Sequence, residues 1–132
     1  MNVPETKTGS CLCGGVSFHI TGPLRPIIAC HCTQCRKQTG HYGAFTECED
    51  AGLHFDKQST LAWYRASDKA QRGFCKNCGS VLFWKADGRN STSISAGSID
   101  GPTGLELAGH IYCASAGDYY PIAGGAYQLE QW

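Results

Sequence analysis

The placement of cysteine constrains this chain more than any other feature. Nine cysteines occur among 132 residues, and seven of them fall into three tight groups: Cys11-Leu12-Cys13, Cys30-His31-Cys32-Thr33-Gln34-Cys35 and Cys75-Lys76-Asn77-Cys78. An odd number leaves one cysteine over in any fully paired disulfide framework. The polar stretch from Met1 to Gly9 is not the pattern of a secretory signal, so the expectation is a cytoplasmic, reducing setting in which thiols stay free. Cysteines this close in sequence suit a shared metal ion better than bonds to one another.

Cys11 and Cys13 pair naturally with Cys75 and Cys78. In C-x-C on an extended segment, residues i and i+2 project to one face, so both sulfurs can reach one ion. C-x-x-C needs a turn, and Gly79 follows it directly, as Gly14 follows Cys13. Glycine there permits positive φ and lets backbone N–H groups approach the sulfurs. Together the two pairs supply four thiolates, the set for a closed tetrahedral structural zinc; the alternative is that one pair is redox-active or simply buried. The ion would tie the start of the chain to a segment roughly 60 residues later, closing a long loop.

Cys30, Cys32 and Cys35 differ because they offer three sulfurs from one hexapeptide. Three protein ligands with an open position is the pattern of a catalytic zinc, where an exogenous thiol can bind as thiolate. Arg36 and Lys37 follow directly and are candidates to offset the negative charge or to meet a substrate carboxylate. His31, between two strand cysteines, is expected on the opposite face as a packing or supporting residue. Cys48 is the residue that would close the site if it supplied a fourth thiolate. Cys113 is read as a buried cysteine or, alternatively, a redox thiol. His110 opens a late strand and is a candidate acid or base, or a hydrogen-bonded structural histidine.

The remainder of the sequence reads as short strands. Val16, Phe18 and Ile20 alternate with Ser17, His19 and Thr21, a half-buried strand within Gly14 to Thr21. Further strands are expected at Tyr42–Cys48, Thr60–Arg65, Arg72–Cys75, Val81–Lys85, Thr92–Ala96 and His110–Ala114, with one or two helical turns from Thr33 closed by Gly40. Most of Phe45, Trp63, Phe74, Phe83, Trp84 and Tyr112 are expected in the core. Asp118 to Pro121 and Tyr127 to Trp132 read as irregular. Seventeen glycines and no long helical period point to one all-β or mostly-β domain spanning 1–132. Lys plus Arg equals Asp plus Glu, 11 each, which argues against nucleic acid as a partner. No apolar run approaches the roughly 20 residues that cross a bilayer.

The chain resembles the glutathione-dependent formaldehyde-activating enzymes, also called the centromere-protein-V family. The resemblance rests on Ser10-Cys11-Leu12-Cys13-Gly14-Gly15-Val16, Cys30-His31-Cys32-Thr33-Gln34-Cys35-Arg36 and Arg72-Gly73-Phe74-Cys75-Lys76-Asn77-Cys78-Gly79, continuing through Ala96-Gly97-Ser98-Ile99-Asp100 and His110-Ile111-Tyr112. It implies the Mss4-like zinc-binding fold of small layered antiparallel sheets. It also implies two zinc ions per chain, structural on Cys11, Cys13, Cys75 and Cys78 and catalytic on Cys30, Cys32 and Cys35. The implied activity is that of a carbon–sulfur lyase acting on the adduct of glutathione and formaldehyde, so the partners are a small thiol and a small aldehyde. Two alternatives stand beside it. One is a non-catalytic zinc-stabilised binding module with both sites closed, by Cys48 or His31. The other is a thiol redox enzyme using Cys113.

Overall fold

The computed structural model describes residues 6–122 and 126–132. The start of the polar segment, Met1 to Glu5, lies outside them. The described chain forms eleven strands and one short helix: β1 (Lys7–Ser10), β2 (Ser17–Ile20), β3 (Ile27–Cys30), α1 (Thr33–Thr39), β4 (Gly43–Glu49), β5 (Leu53–Lys57), β6 (Leu61–Arg65), β7 (Ala70–Cys75), β8 (Val81–Ala86), β9 (Ser91–Ser95), β10 (Leu107–Ile111) and β11 (Tyr127–Gln128). The mostly-β expectation holds. A three-stranded sheet has the order β1-β2-β5, and an eight-stranded sheet has the order β11-β10-β3-β4-β9-β8-β7-β6.

The core lies where the two sheets meet. Val16, Phe18 and Ile20 are all buried, while Ser17 and His19 alternate to the half-buried side, as the period-two pattern requires. They pack with Leu82, Phe83, Ile94 and Ile99. Phe18 and Phe55 both meet Phe83 edge-on, with ring centroids 5.3 and 5.5 Å apart, a geometry the ring quadrupole favours.

Four sequence expectations change in the structure. The sheets are not wholly antiparallel: β10 runs parallel to β3 and to β11. Cys11 and Cys13 sit in the tight connection between β1 and β2, with Gly14 N–H bonded to Cys11 O at 3.2 Å, and not on an extended segment. The late strand is Leu107–Ile111, three residues earlier than expected, because Tyr112 takes a left-handed φ of 56° and ends it. Finally, of the six aromatics expected mostly in the core, only Phe45 and Phe83 are buried. Trp63 lies on β6, the edge strand of the large sheet, where one side has no neighbouring strand; it stacks on Phe83 and stays 39% exposed.

Candidate metal centres

The fold gathers seven of the nine cysteines into two sets, each with its sulfurs within 4.8 Å of one another. The first set is Cys11, Cys13, Cys75 and Cys78. Cys13 Sγ lies 3.7 Å from Cys11 Sγ and 3.7 Å from Cys75 Sγ. A tetrahedral ion with Zn–S bonds of about 2.3 Å sets its sulfurs about 3.8 Å apart, so this set has the size zinc requires.

Both halves of the site are turns that aim N–H groups at sulfur. Val16 N–H donates to Cys11 Sγ at 3.3 Å and Gly15 N–H to Cys13 Sγ at 3.4 Å. Cys78 N–H donates to Cys75 Sγ at 3.4 Å. Gly14 (φ 80°) and Gly79 (φ 78°) take the left-handed conformation the turns need, as the sequence led us to expect. Ser80 is a tie that sequence reading missed. Its Oγ accepts from Leu12 N–H at 3.0 Å and sits 3.2 Å from Cys78 Sγ, so it joins the two turns. The Ser80 hydroxyl and N–H hold the Cys78 thiol down to about 5. Thr60 Oγ1, 3.3 Å from Cys75 Sγ, and the Cys78 N–H likewise lower Cys75. These groups stabilise sulfur as thiolate, the form that binds metal.

The second set, Cys30, Cys32 and Cys35, comes from the end of β3 and the start of α1. Cys32 is the N-cap of that helix, and its Sγ accepts from Cys35 N–H at 3.3 Å. Gly40 closes the helix as expected, with φ 87° and its N–H on Arg36 O at 2.9 Å. Hydrogen bonds from Cys30 and Cys35 pull the Cys32 thiol far down, and the same sharing pushes Cys30 up. Gly43 pairs with Cys30 across β3 and β4. A Cβ there would stand 3.3 Å from Cys35 Sγ, so a bare backbone gives the sulfur its room.

Among the described residues no fourth cysteine, histidine, aspartate or glutamate joins this set. Cys48 is buried in the core among residues of both sheets, with burial first and then Asp50 pushing its thiol up to about 11. It stands five residues beyond Gly43 on the same strand, about 17 Å away and on the opposite face. His31 is fully buried, and both its nitrogens are engaged elsewhere: Nδ1 with the Tyr120 hydroxyl, and Nε2 with His110 Nδ1 at 2.9 Å. Burial first, then His110, lowers its pKa, which keeps the ring neutral. His110 reaches His31 because the parallel β3–β10 pairing sets it beside Ala29. Its Nδ1 is therefore committed to a buried neighbour.

The structure adds a charged residue that the sequence reading did not name for this site. Lys37 is exposed on α1 and Arg36 is half-buried, with its Nε lacking a partner. The cation in contact with the sulfurs is Arg72 of β7: its Nη2 donates to Cys35 Sγ at 3.3 Å. Its Nε donates to Gln34 Oε1 and its Nη1 to Gln38 Oε1, each at 2.7 Å. Cys113 is half-buried, belongs to neither set, and gives its N–H to Leu129 O at 2.9 Å.

Comparison with known proteins agrees with this geometry. The family model described as glutathione-dependent formaldehyde-activating enzyme matches residues 6–115, a span that holds all seven clustered cysteines. The chain belongs to this family. The formaldehyde-activating enzyme family match covers β1 through β10 and ends within the turn at Cys113. A protein of Schizosaccharomyces pombe described as an uncharacterized lyase is 26% identical over 123 residues, covering 92% of this chain and 88% of that one. A crystal structure of a Rhodobacter sphaeroides protein superposes with a TM-score of 0.61 at 19% identity, covering 71% of this chain and 88% of that one. That likeness supports the fold. No helix among the described residues is long and apolar enough to cross a membrane.

Proposed function

We propose that this formaldehyde-activating family member is a zinc-dependent carbon–sulfur lyase that joins or cleaves the adduct of glutathione and formaldehyde. In this reading Cys11, Cys13, Cys75 and Cys78 hold a structural zinc, and Cys30, Cys32 and Cys35 hold a second zinc with one position left for substrate. We also take the zinc-bearing two-sheet architecture to be of the Mss4-like kind and the setting to be the reducing cytoplasm. The observation that carries the proposal is the difference between the sets: four mutually close sulfurs in one, and three with no fourth donor among the described residues in the other.

The reaction adds a thiol across a carbonyl. The C–S bond forms, and the thiol proton ends on the carbonyl oxygen; cleavage reverses both. A zinc ion on the three thiolates would supply a Lewis-acidic position at which a thiol binds as thiolate at neutral pH. The chain's own residues fix and balance that position. Cys32 caps α1, which sets the register of Cys35 on its first turn. Arg36, half-buried and directly after Cys35 in the chain, and Lys37, further out in solvent, are the cations we assign to a substrate carboxylate. His110 is a positioning residue that holds His31, and through it the Cys30–Cys32 segment, by the 2.9 Å contact.

The test is to measure glutathione binding by calorimetry and the exchange of formaldehyde with glutathione by magnetisation-transfer NMR, before and after mild chelation. The proposal expects two zincs per chain, one released readily, with binding and accelerated exchange lost together with it. Two equally resistant zincs and no glutathione binding would instead identify a zinc-stabilised binding module.

A further inference from the structure

Arg72 is 3% exposed, yet among the described residues no carboxylate forms an ion pair with it. A guanidinium does not lose its proton in a protein. An interior charge left without an opposite charge is strongly destabilising. Its three contacts are two neutral amide oxygens and one sulfur, Cys35 Sγ. Of these three partners, only the sulfur can carry a balancing negative charge.

We propose that Arg72 is the built-in counter-charge and positioning residue of the Cys30, Cys32 and Cys35 site. This rests on the reading that those three sulfurs hold a divalent ion. Three thiolates and a divalent cation carry a net charge of −1, and Arg72 makes the assembly neutral. Gln34 and Gln38, one helical turn apart on α1, take the other two arms of the guanidinium. Gln34 is itself held, its Nε2 donating to Ala66 O at 3.2 Å. The fork thus joins β7 to α1 and sets Cys35 at a fixed place relative to the sheet. Lysine carries the same charge but cannot make three directed contacts from one plane. Donation to Cys35 Sγ also draws electron density from the sulfur, which would leave an ion held there more electrophilic. Arg72 and Cys75 share β7, so one strand serves both cysteine sets.

The test loads the full chain with Co²⁺, whose sulfur-to-metal charge-transfer bands report donor strength, and measures affinity by chelator competition. In Arg72→Met, the weaker of the two sites is expected to lose affinity by about 10- to 100-fold, the usual effect of removing a group that supports a metal ligand. Its charge-transfer band is expected to move to lower energy, because the sulfur is no longer a hydrogen-bond acceptor. The four-cysteine site is expected to keep its affinity. Arg72→Lys is expected to recover part of the affinity through charge alone. Unchanged affinity and an unmoved band in Arg72→Met would overturn the proposal, as would equal losses in the Lys and Met variants. Should Arg72→Met not fold, the double variant Gln34→Ala, Gln38→Ala keeps the charge and removes the fork. A severalfold loss at the weaker site supports the positioning role, and none refutes it. A wild-type chain that binds a single metal ion would sink the catalytic-zinc reading together with this one, whereas two ions and an indifferent Arg72 sink this one alone.

Discussion

Cys13 Sγ lies 3.7 Å from Cys75 Sγ although the residues are 62 positions apart in the chain. The contact joins the β1–β2 turn to the end of β7, and so links the small sheet to the large one. If the four sulfurs share the zinc proposed above, removing one of them removes the ion and the link together. Cys75→Ser is expected to reduce the metal content by one ion per chain and to destabilise the fold by about 4 kcal/mol or more. Elemental analysis with calorimetric unfolding checks both. A variant with normal metal content would show that Cys75 is no ligand.

Cys48 gives the complementary result. It is 3% exposed, and burial holds its thiol at about 11, well above the usual value of 9.0. Cys48→Ser is expected to cost about 1–3 kcal/mol, from burying a hydroxyl, and to leave the metal content unchanged. The raised pKa also fixes a sign. The folded state holds the proton more tightly than the unfolded chain, so this contribution is complete below about pH 9 and is lost as pH rises through about 11. Unfolding titrations from pH 8 to 11 should fall more steeply for the wild type than for Cys48→Ala.

Gly43 is where backbone space serves chemistry. A methyl group there would meet the Phe45 ring at 2.5 Å and Cys35 Sγ at 3.3 Å. Gly43→Ala is expected to destabilise by about 1–3 kcal/mol through overpacking. Because one of the two clashes is with a sulfur, metal affinity at the three-cysteine site should fall as well. Chelator competition on folded protein separates this from a purely structural effect.

His110 supports a neighbour in the interior. His110→Ala would leave His31 Nε2 without its 2.9 Å partner, at a cost of about 1–3 kcal/mol. A positioning role predicts that His110→Asn, which keeps a polar partner, recovers part of that stability. Thermal unfolding of both variants is the measurement. Equal loss in the two would show that the hydrogen bond contributes nothing.

The cysteine groups, the strand at Val16, Phe18 and Ile20, and the Gly40 helix end were all legible in the sequence. Each is a short-range pattern: ligand spacing, period-two alternation, and a residue type suited to positive φ. The three cysteine groups follow from that spacing, but the meeting of Cys11 and Cys13 with Cys75 and Cys78 is a long-range relation that the fold supplies. What the tertiary structure decided are relations between distant segments. The parallel β3–β10 pair brings His110 to His31, and no local pattern encodes a pairing partner. Whether Cys48 reached the three-cysteine site depended on its strand's register and on which face turned inward. The edge position of β6 left Trp63 partly exposed despite an apolar strand pattern. Sequence offered Arg36 and Lys37 as candidates to offset the charge of the sulfurs or to meet a substrate carboxylate, and could not show that a strand some 37 residues beyond Cys35 delivers Arg72 to it. Ligand identity is a local property of residue type and spacing. The charge and geometry around the ligands belong to the packing of strands against the helix, and only the folded chain fixes them.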